Sequence, residues 1–178
     1  MIEHINENFV GWFSFPQFYK DMISILPEGG TFIEVGVYEG KSFAYFIVEA
    51  INAGKKLTCV AVDAFPWEGL EAKFVSNMTP LKDNYVYFTA ESSEATRHFP
   101  DKCVDLLFID ANHTYEFVKR DIQKWLPKMK PGSIMAGHDY GRDDYRPYQG
   151  VYDAVNEMFS GKVDEKYVKS EDVWMVKL

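Results

Sequence analysis

A doubly wound α/β sheet, mostly parallel and seven-stranded with an antiparallel hairpin at its C-terminal end, is the fold this sequence predicts. Three observations carry that expectation. Short β-rich apolar runs alternate with segments whose apolar residues recur every three or four positions. The stretches between most of these runs are long enough for helical crossovers, which make neighbouring strands parallel and cover both faces of the sheet. Only the last two runs are joined by a link as short as residues 170–172, which permits a hairpin but no crossover.

The strand-like runs are 31–37 (TFIEVGV), 57–65 (LTCVAVDAF), 86–89 (VYFT), 104–110 (VDLLFID) and 133–136 (SIMA), then a pair at 166–169 and 173–177. The near-continuous apolarity of VDLLFID suits a central strand buried on both faces. Helical spacing covers 42–53, 69–77, 93–98, 115–125 and 148–159, each following one of the first five runs, and an N-terminal helix is expected over 15–26. The 178 residues suit a single domain. It divides into an N-terminal helical cap segment, 1–28, and a core, 29–178.

Composition narrows the partners. A formal net charge of −8 repels phosphate backbones, so nucleic acid is not expected. Lys119, Arg120, Lys124 and Lys128 are spaced like the solvated face of a helix rather than a basic groove. Two cysteines, Cys59 and Cys103, make neither a disulfide framework nor a metal motif and read as reduced core residues. With no signal-peptide pattern in MIEHINENFVGWF and no apolar run near the ~20 residues that span a bilayer, the expected location is the cytoplasm, away from membranes.

In a sheet of this kind ligands bind beyond the carboxyl ends of the strands. The first run ends in Glu34-Val35-Gly36-Val37-Tyr38-Glu39-Gly40, and Lys41-Ser42 opens a helix. Two glycines four apart allow a tight turn, and the helix start behind them offers free N–H groups. The loop reads G-x-x-x-G rather than the dinucleotide G-x-G-x-x-G, and Glu34 disfavours a pyrophosphate while welcoming an ammonium group. A purely structural turn is the alternative. Asp63 ends the second run, where a carboxylate can accept both hydroxyls of a ribose or simply cap a helix. The third run ends in Ala90-Glu91-Ser92-Ser93-Glu94, which suits an adenine pocket, a helix cap, or both. The fourth ends in Asp110-Ala111-Asn112-His113 and the fifth in Gly137-His138-Asp139-Tyr140. Adjacent strands would bring Asp110 and Asp139 together, either around a divalent cation such as Mg²⁺ or as a hydrogen-bonded acid pair on a polar substrate.

The segment FIDANHTYEFVKRDIQKWLPKMKPGSIMAGHDY resembles the class I methyltransferases described as the methyltransferase domain 24 family, and IEVGVYEGKS resembles their first cofactor motif. The resemblance runs from about residue 31 to 159 and implies a Rossmann-like fold and S-adenosylmethionine as cofactor. It implies that Glu34, Gly36 and Gly40 hold the methionine part, Asp63 the ribose and Ser92 the base, with Tyr38, Ser42, Ala64, Glu91 and Asp110 also in the cofactor site. Tyr38 stands where many relatives have another glycine. Related sugar and catechol O-methyltransferases carry a divalent cation on the acids ending these two strands. Here that set is Asp110, His138 and Asp139, with His138 where another acid is common. The histidine of D-x-x-H, here His113, is a general base in some relatives, acting with Asp110.

No N-P-P-Y, D-P-P-Y or Pro-Cys motif is present, which leaves oxygen methylation of a small hydroxylated acceptor, a sugar or phenol. The segments 1–16, 65–67 and 140–148 are candidates to roof the acceptor, with a second subunit of a homodimer as an alternative. Two other readings stay open: a nicotinamide-dependent oxidoreductase, which lacks its fingerprint here, and a non-catalytic S-adenosylmethionine-binding module, which Asp110, His113 and Asp139 argue against.

Overall fold

The computed structural model describes residues 1–141 and 148–178. Most of the expected 140–148 roof therefore lies outside the described residues. Six strands form one sheet: β1 (Thr31–Val35), β2 (Thr58–Asp63), β3 (Tyr85–Thr89), β4 (Val104–Ile109), β5 (Met129–Gly137) and β6 (Trp174–Lys177). Their spatial order is β3-β2-β1-β4-β5-β6, parallel throughout except for the antiparallel β5–β6 pair.

Period-two alternation sorts the strand side chains onto two faces. Phe32, Cys59, Ala61, Leu106, Phe108 and Ala136 point to one core, while Ile33, Val35, Val60, Val62, Leu107, Ile109 and Met135 point to the other. Helices α1 (Pro16–Ile25), α2 (Lys41–Asn52) and α3 (Leu70–Met78) cover the first core. Helices α4 (Ser92–Ala95), α5 (Tyr115–Trp125) and α6 (Gln149–Phe159) cover the second. On the first face the ring of Phe46 stacks on Phe32 with centroids 3.7 Å apart, and Tyr19 packs edge-on against both. On the second, Val118, Ile122 and Trp125 form the buried stripe of α5. Full burial of an aliphatic or aromatic side chain of this size is worth about 1.5–3 kcal/mol. Covering both faces is therefore what holds the strand tips in place.

The expected seventh strand and terminal hairpin are corrected. Residues 166–169 fold into a short helical turn continuous with α7 (Val168–Glu171), and the antiparallel partner of β6 is β5. The alternation of KYVK imitates a strand, but tertiary contacts decide. Tyr167 is buried, and the buried Glu171 carboxylate accepts the N–H groups of Gln17 and Phe18, both at 2.7 Å. That anion caps the start of α1, which has no side-chain cap of its own. A strand here would carry Glu171 away from it. Strand β1 also ends earlier than its apolar run, because Gly36 turns the chain with φ +87. Strand β5 begins earlier, running through Pro131 and Gly132 beside an irregularity in β4.

The N-terminal segment crosses the strand tips. The Val10 N–H donates to Glu39 Oε2 at 3.2 Å, and Ser14 Oγ is hydrogen-bonded to His138 Nε2 at 3.0 Å. Pro16 then opens α1, where a missing N–H costs nothing.

Candidate active site

Strand order reverses direction between β1 and β4, so the loops after these strands diverge and leave a crevice. On one side the 36–40 turn leads into α2. A Cβ on Gly36 would stand 2.1 Å from the Asp110 carbonyl oxygen, so glycine is required for the two loops to touch. Gly40 caps α2 from φ +89, with Met78 Sδ 3.0 Å from where its Cβ would be. Tyr38 adopts φ 51, an uncommon conformation for a side chain with Cβ. Its N–H donates to Asp63 Oδ2 at 2.9 Å, and its ring meets Trp67 edge-on.

Glu34 lies wholly buried beneath the turn and accepts hydrogen bonds from Tyr19 Oη, at 2.8 Å, and from Ser42 Oγ. Burial pushes its carboxyl up to about 8, against the pull of those two donors. Asp63 is half-buried at the tip of β2. Burial raises its carboxyl, while the N–H groups of Tyr38, Phe65 and Val37 hold it back. A carboxylate offers about four lone-pair sites. Asp63 thus ties the turn to β2 and retains acceptor capacity. Ala64 follows it, half-buried, and the Ala90 N–H donates to the Asp63 carbonyl at 2.9 Å, which sets Glu91 and Ser92 beside them.

Ser92 opens α4 with its hydroxyl turned inward. Its Oγ accepts the Trp125 Nε1–H at 3.0 Å and its hydroxyl bonds Asp121, which is 2% exposed. Burial raises the Asp121 carboxyl to about 6, with Ser92 and Arg120 opposing. Glu91 is exposed, 3.8 Å from Arg120.

On the other side of the crevice, pairing of Ile109 with Gly137 brings the ends of β4 and β5 together. Asp110, His138 and Asp139 each offer a ligand atom within 4.8 Å of the others, a grouping that could hold a metal ion. His113 joins them: Nε2 lies 2.9 Å from Asp139 Oδ2 and 3.4 Å from Asp110 Oδ1. An Asn112 Asx turn, accepting the Thr114 N–H and hydroxyl, sets the loop that presents His113. Burial disfavours a charged His113, but Asp110 and Asp139 outweigh it and raise the imidazole to about 9. For Asp139, burial is opposed by His113 and His138, which together hold the carboxyl well below the usual range. His138 is likewise raised despite burial, by Asp139 and Asp110. Beside His113 opens a cavity of about 590 Å³ lined by Asn112, His113, Thr114, Tyr115, Tyr148 and Gly150.

The residues expected at strand tips therefore form two groups flanking one crevice: the turn with Asp63 and Ser92, and the Asp110–His113–His138–Asp139 cluster. Tyr19, Asp121, Trp125 and Ser14 were not foreseen. Asp121 carried a legible signal, standing three residues after Val118 and four before Trp125 on the apolar stripe of α5. Ser14 carried none, because its partner is 124 residues away.

This fold, with a glycine turn at the switch point and acids closing the strands on either side, defines a Rossmann-like nucleoside-binding enzyme class. The comparisons narrow it. The sequence model of a methyltransferase-domain family matches residues 33–140, and the chain belongs to that family. A curated relative, the uncharacterized protein y4gI of Sinorhizobium fredii, is 34% identical over 119 residues, covering 60% of this chain; the match spans only 13% of that relative's length. Among solved structures, the TDP-rhamnose 3'-O-methyltransferase CalS11 superposes with a TM-score of 0.68 at 15% identity, over 91% of this chain and 76% of that one. The O-methyltransferase NovP gives 0.68 at 15%, over 91% and 78%. A SAM-dependent methyltransferase from Aquifex aeolicus gives 0.62 at 21%, over 91% and 87%. At these identities the likeness is one of fold, and the fold is that of S-adenosylmethionine-dependent methyltransferases. No helix among the described residues is long and apolar enough to cross a membrane.

Proposed function

We propose that the chain methylates a hydroxyl oxygen of a small acceptor, using S-adenosylmethionine as donor and a divalent cation held by Asp110, His138 and Asp139. The convergence of Asp110, His113, His138 and Asp139 across the crevice from the 36–40 turn carries this reading. The donor set suits such an ion: two carboxylates and an imidazole nitrogen, close enough to share one centre. The sugar O-methyltransferase among the structural relatives lends support to a hydroxylated acceptor.

Bound S-adenosylmethionine would supply a methyl group on a positively charged sulfur, and the cation would supply a Lewis acid that lowers the pKa of a nearby hydroxyl. The chain's residues do the rest. Asp63 and the 36–40 turn orient the nucleoside and amino-acid ends of the donor. The rims of the 590 Å³ cavity beside His113 confine the acceptor. The residues' task is to align the acceptor oxygen with the methyl carbon; the bond formed there would replace the carbon–sulfur bond, whose electron pair would stay on sulfur. His113, beside the cavity, is the residue placed to take the hydroxyl proton. Asp110 and Asp139 favour a protonated His113, and a cation held between them would offset that and free the imidazole to act as a base. General-base help of this kind is worth about 10²–10⁴-fold in rate.

A methyl-transfer assay over a panel of sugars, catechols and other hydroxylated acceptors tests the reading. Activity that chelator abolishes, and that Asp110→Asn removes while S-adenosylhomocysteine still binds, is the expected result. Turnover that survives both chelation and Asp110→Asn would refute the metal role.

A further inference from the structure

The end of β5 places an imidazole, not a third carboxylate, beside the two aspartates. His138 Nδ1 lies 3.4 Å from Asp139 Oδ1 and 4.0 Å from Asp110 Oδ1. Nε2 points the other way and is hydrogen-bonded to Ser14 Oγ at 3.0 Å. The fully buried Phe15 packs on the same ring, with centroids 4.9 Å apart. Consecutive residues of the N-terminal segment thus grip His138 by one nitrogen and one flank, leaving the other nitrogen facing the carboxylates. A neutral imidazole has one N–H and one lone pair. When Ser14 accepts the Nε2–H, the lone pair falls on Nδ1, the nitrogen that a cation between Asp110 and Asp139 would meet. Metal-ligating histidines have their second nitrogen held by such a partner, which fixes tautomer and ring orientation.

We infer, resting on the metal-assisted reading above, that His138 ligates the cation through Nδ1, that Ser14 is its positioning residue, and that the centre selects a divalent transition ion over Mg²⁺. The chemistry is that of the donors. Mg²⁺ prefers oxygen ligands in a strict octahedron, whereas imidazole nitrogen suits transition ions and strengthens their binding along the series from Mn²⁺ towards Cu²⁺. Two carboxylates alone would leave the site open to Mg²⁺; the imidazole tilts it towards later transition ions such as Co²⁺. The N-terminal segment, fastened at Glu39 as well as His138, then belongs to the metal site as much as to the donor side.

The full-length chain, freed of metal by chelator and dialysis, is titrated with Co²⁺ and with Mg²⁺ by calorimetry, and its Mn²⁺ complex is examined by pulsed EPR for imidazole nitrogen. The wild-type complex should show nitrogen coupling that disappears in His138→Asp. That variant should also cut the ratio of Co²⁺ to Mg²⁺ affinity by at least about 10-fold. Ser14→Ala should weaken Co²⁺ by about 10-fold or more, and Ser14→Thr, which keeps the hydroxyl, should restore it. Ser14 is exposed, so its variants test the positioning role even if His138→Asp proves unstable to heat. An unchanged affinity ratio in His138→Asp, or nitrogen coupling that persists there, overturns the assignment. A chain that binds S-adenosylhomocysteine but neither metal ion defeats the metal-assisted reading itself, and the inference with it.

Discussion

Gly36→Ala is the substitution whose cost the structure prices most fully. A Cβ there would stand 2.1 Å from the Asp110 carbonyl oxygen, 2.6 Å from its carbonyl carbon and 2.7 Å from Ala111 Cα. All three are backbone atoms, and the Asp110 N–H is bonded to the Val35 carbonyl at 2.8 Å, so nothing can swing aside. The shortest approach is about 1.3 Å inside the 3.4 Å at which ordinary contact begins. The left-handed backbone at φ +87 adds about 1–2 kcal/mol for any residue with Cβ. Forcing an extra methyl into a packed site adds about 1–3 kcal/mol. The total of about 2–5 kcal/mol corresponds to a fall in Tm of roughly 10 °C for a chain of this size. Gly54→Ala is the control: its φ is +71 but nothing lies within 4 Å of its Cβ, so only the backbone cost of about 1–2 kcal/mol applies. Thermal unfolding followed by circular dichroism measures both. The steric account also expects Gly36→Ala to displace Asp110 and weaken metal binding, which Gly54→Ala should leave alone. Equal losses of Tm in the two variants would refute the claimed contact between the two loops.

Three further outcomes follow from the buried polar groups. Between its ordinary value of 4.5 and about 8, Glu34 holds a proton in the folded chain that the unfolded chain has released. Stability should therefore fall as pH rises through that window, by up to about 1.4 kcal/mol per pH unit, and the slope should flatten in Glu34→Gln; urea unfolding at pH 5 to 8.5 reads it, and matching slopes would contradict the burial of this carboxyl. Ser92→Ala strips partners from both Trp125 Nε1 and Asp121, so chemical denaturation should report a loss of about 1–3 kcal/mol per orphaned group, far above the few tenths expected of an exposed serine. Glu171→Ala removes the cap on α1 and should cost about 0.5–2 kcal/mol while leaving S-adenosylhomocysteine affinity unchanged in a calorimetric titration.

The central strands were legible because both faces of the sheet are buried there, as in VDLLFID, whereas the exposed edge strand β3 was legible from the β-rich composition of VYFT. The helix 115–125 was legible to the residue, since its apolar stripe and its Thr114 start coincide. The supposed strand at 166–169 was misread because its fate rests on Glu171 reaching α1, some 150 residues away in sequence. At the site, the acids and histidines at strand tips announced themselves by position, and the adjacency of β4 and β5 does bring Asp110, His138 and Asp139 together. What spacing could not reveal was direction. Glu34 turns inward to Tyr19 and Ser42, Ser92 turns inward to Asp121 and Trp125, and Gly36 makes room for the Asp110 backbone as well as for any ligand. Side-chain orientation depends on packing partners that a single sequence does not pair.

Calorimetric titration of the purified chain with S-adenosylhomocysteine, and separately with NADH, weighs the account at its root. Saturable heat with the thioether nucleoside, weakened by Asp63→Ala, and none with the dinucleotide is the predicted result. Binding of NADH alone would contradict it.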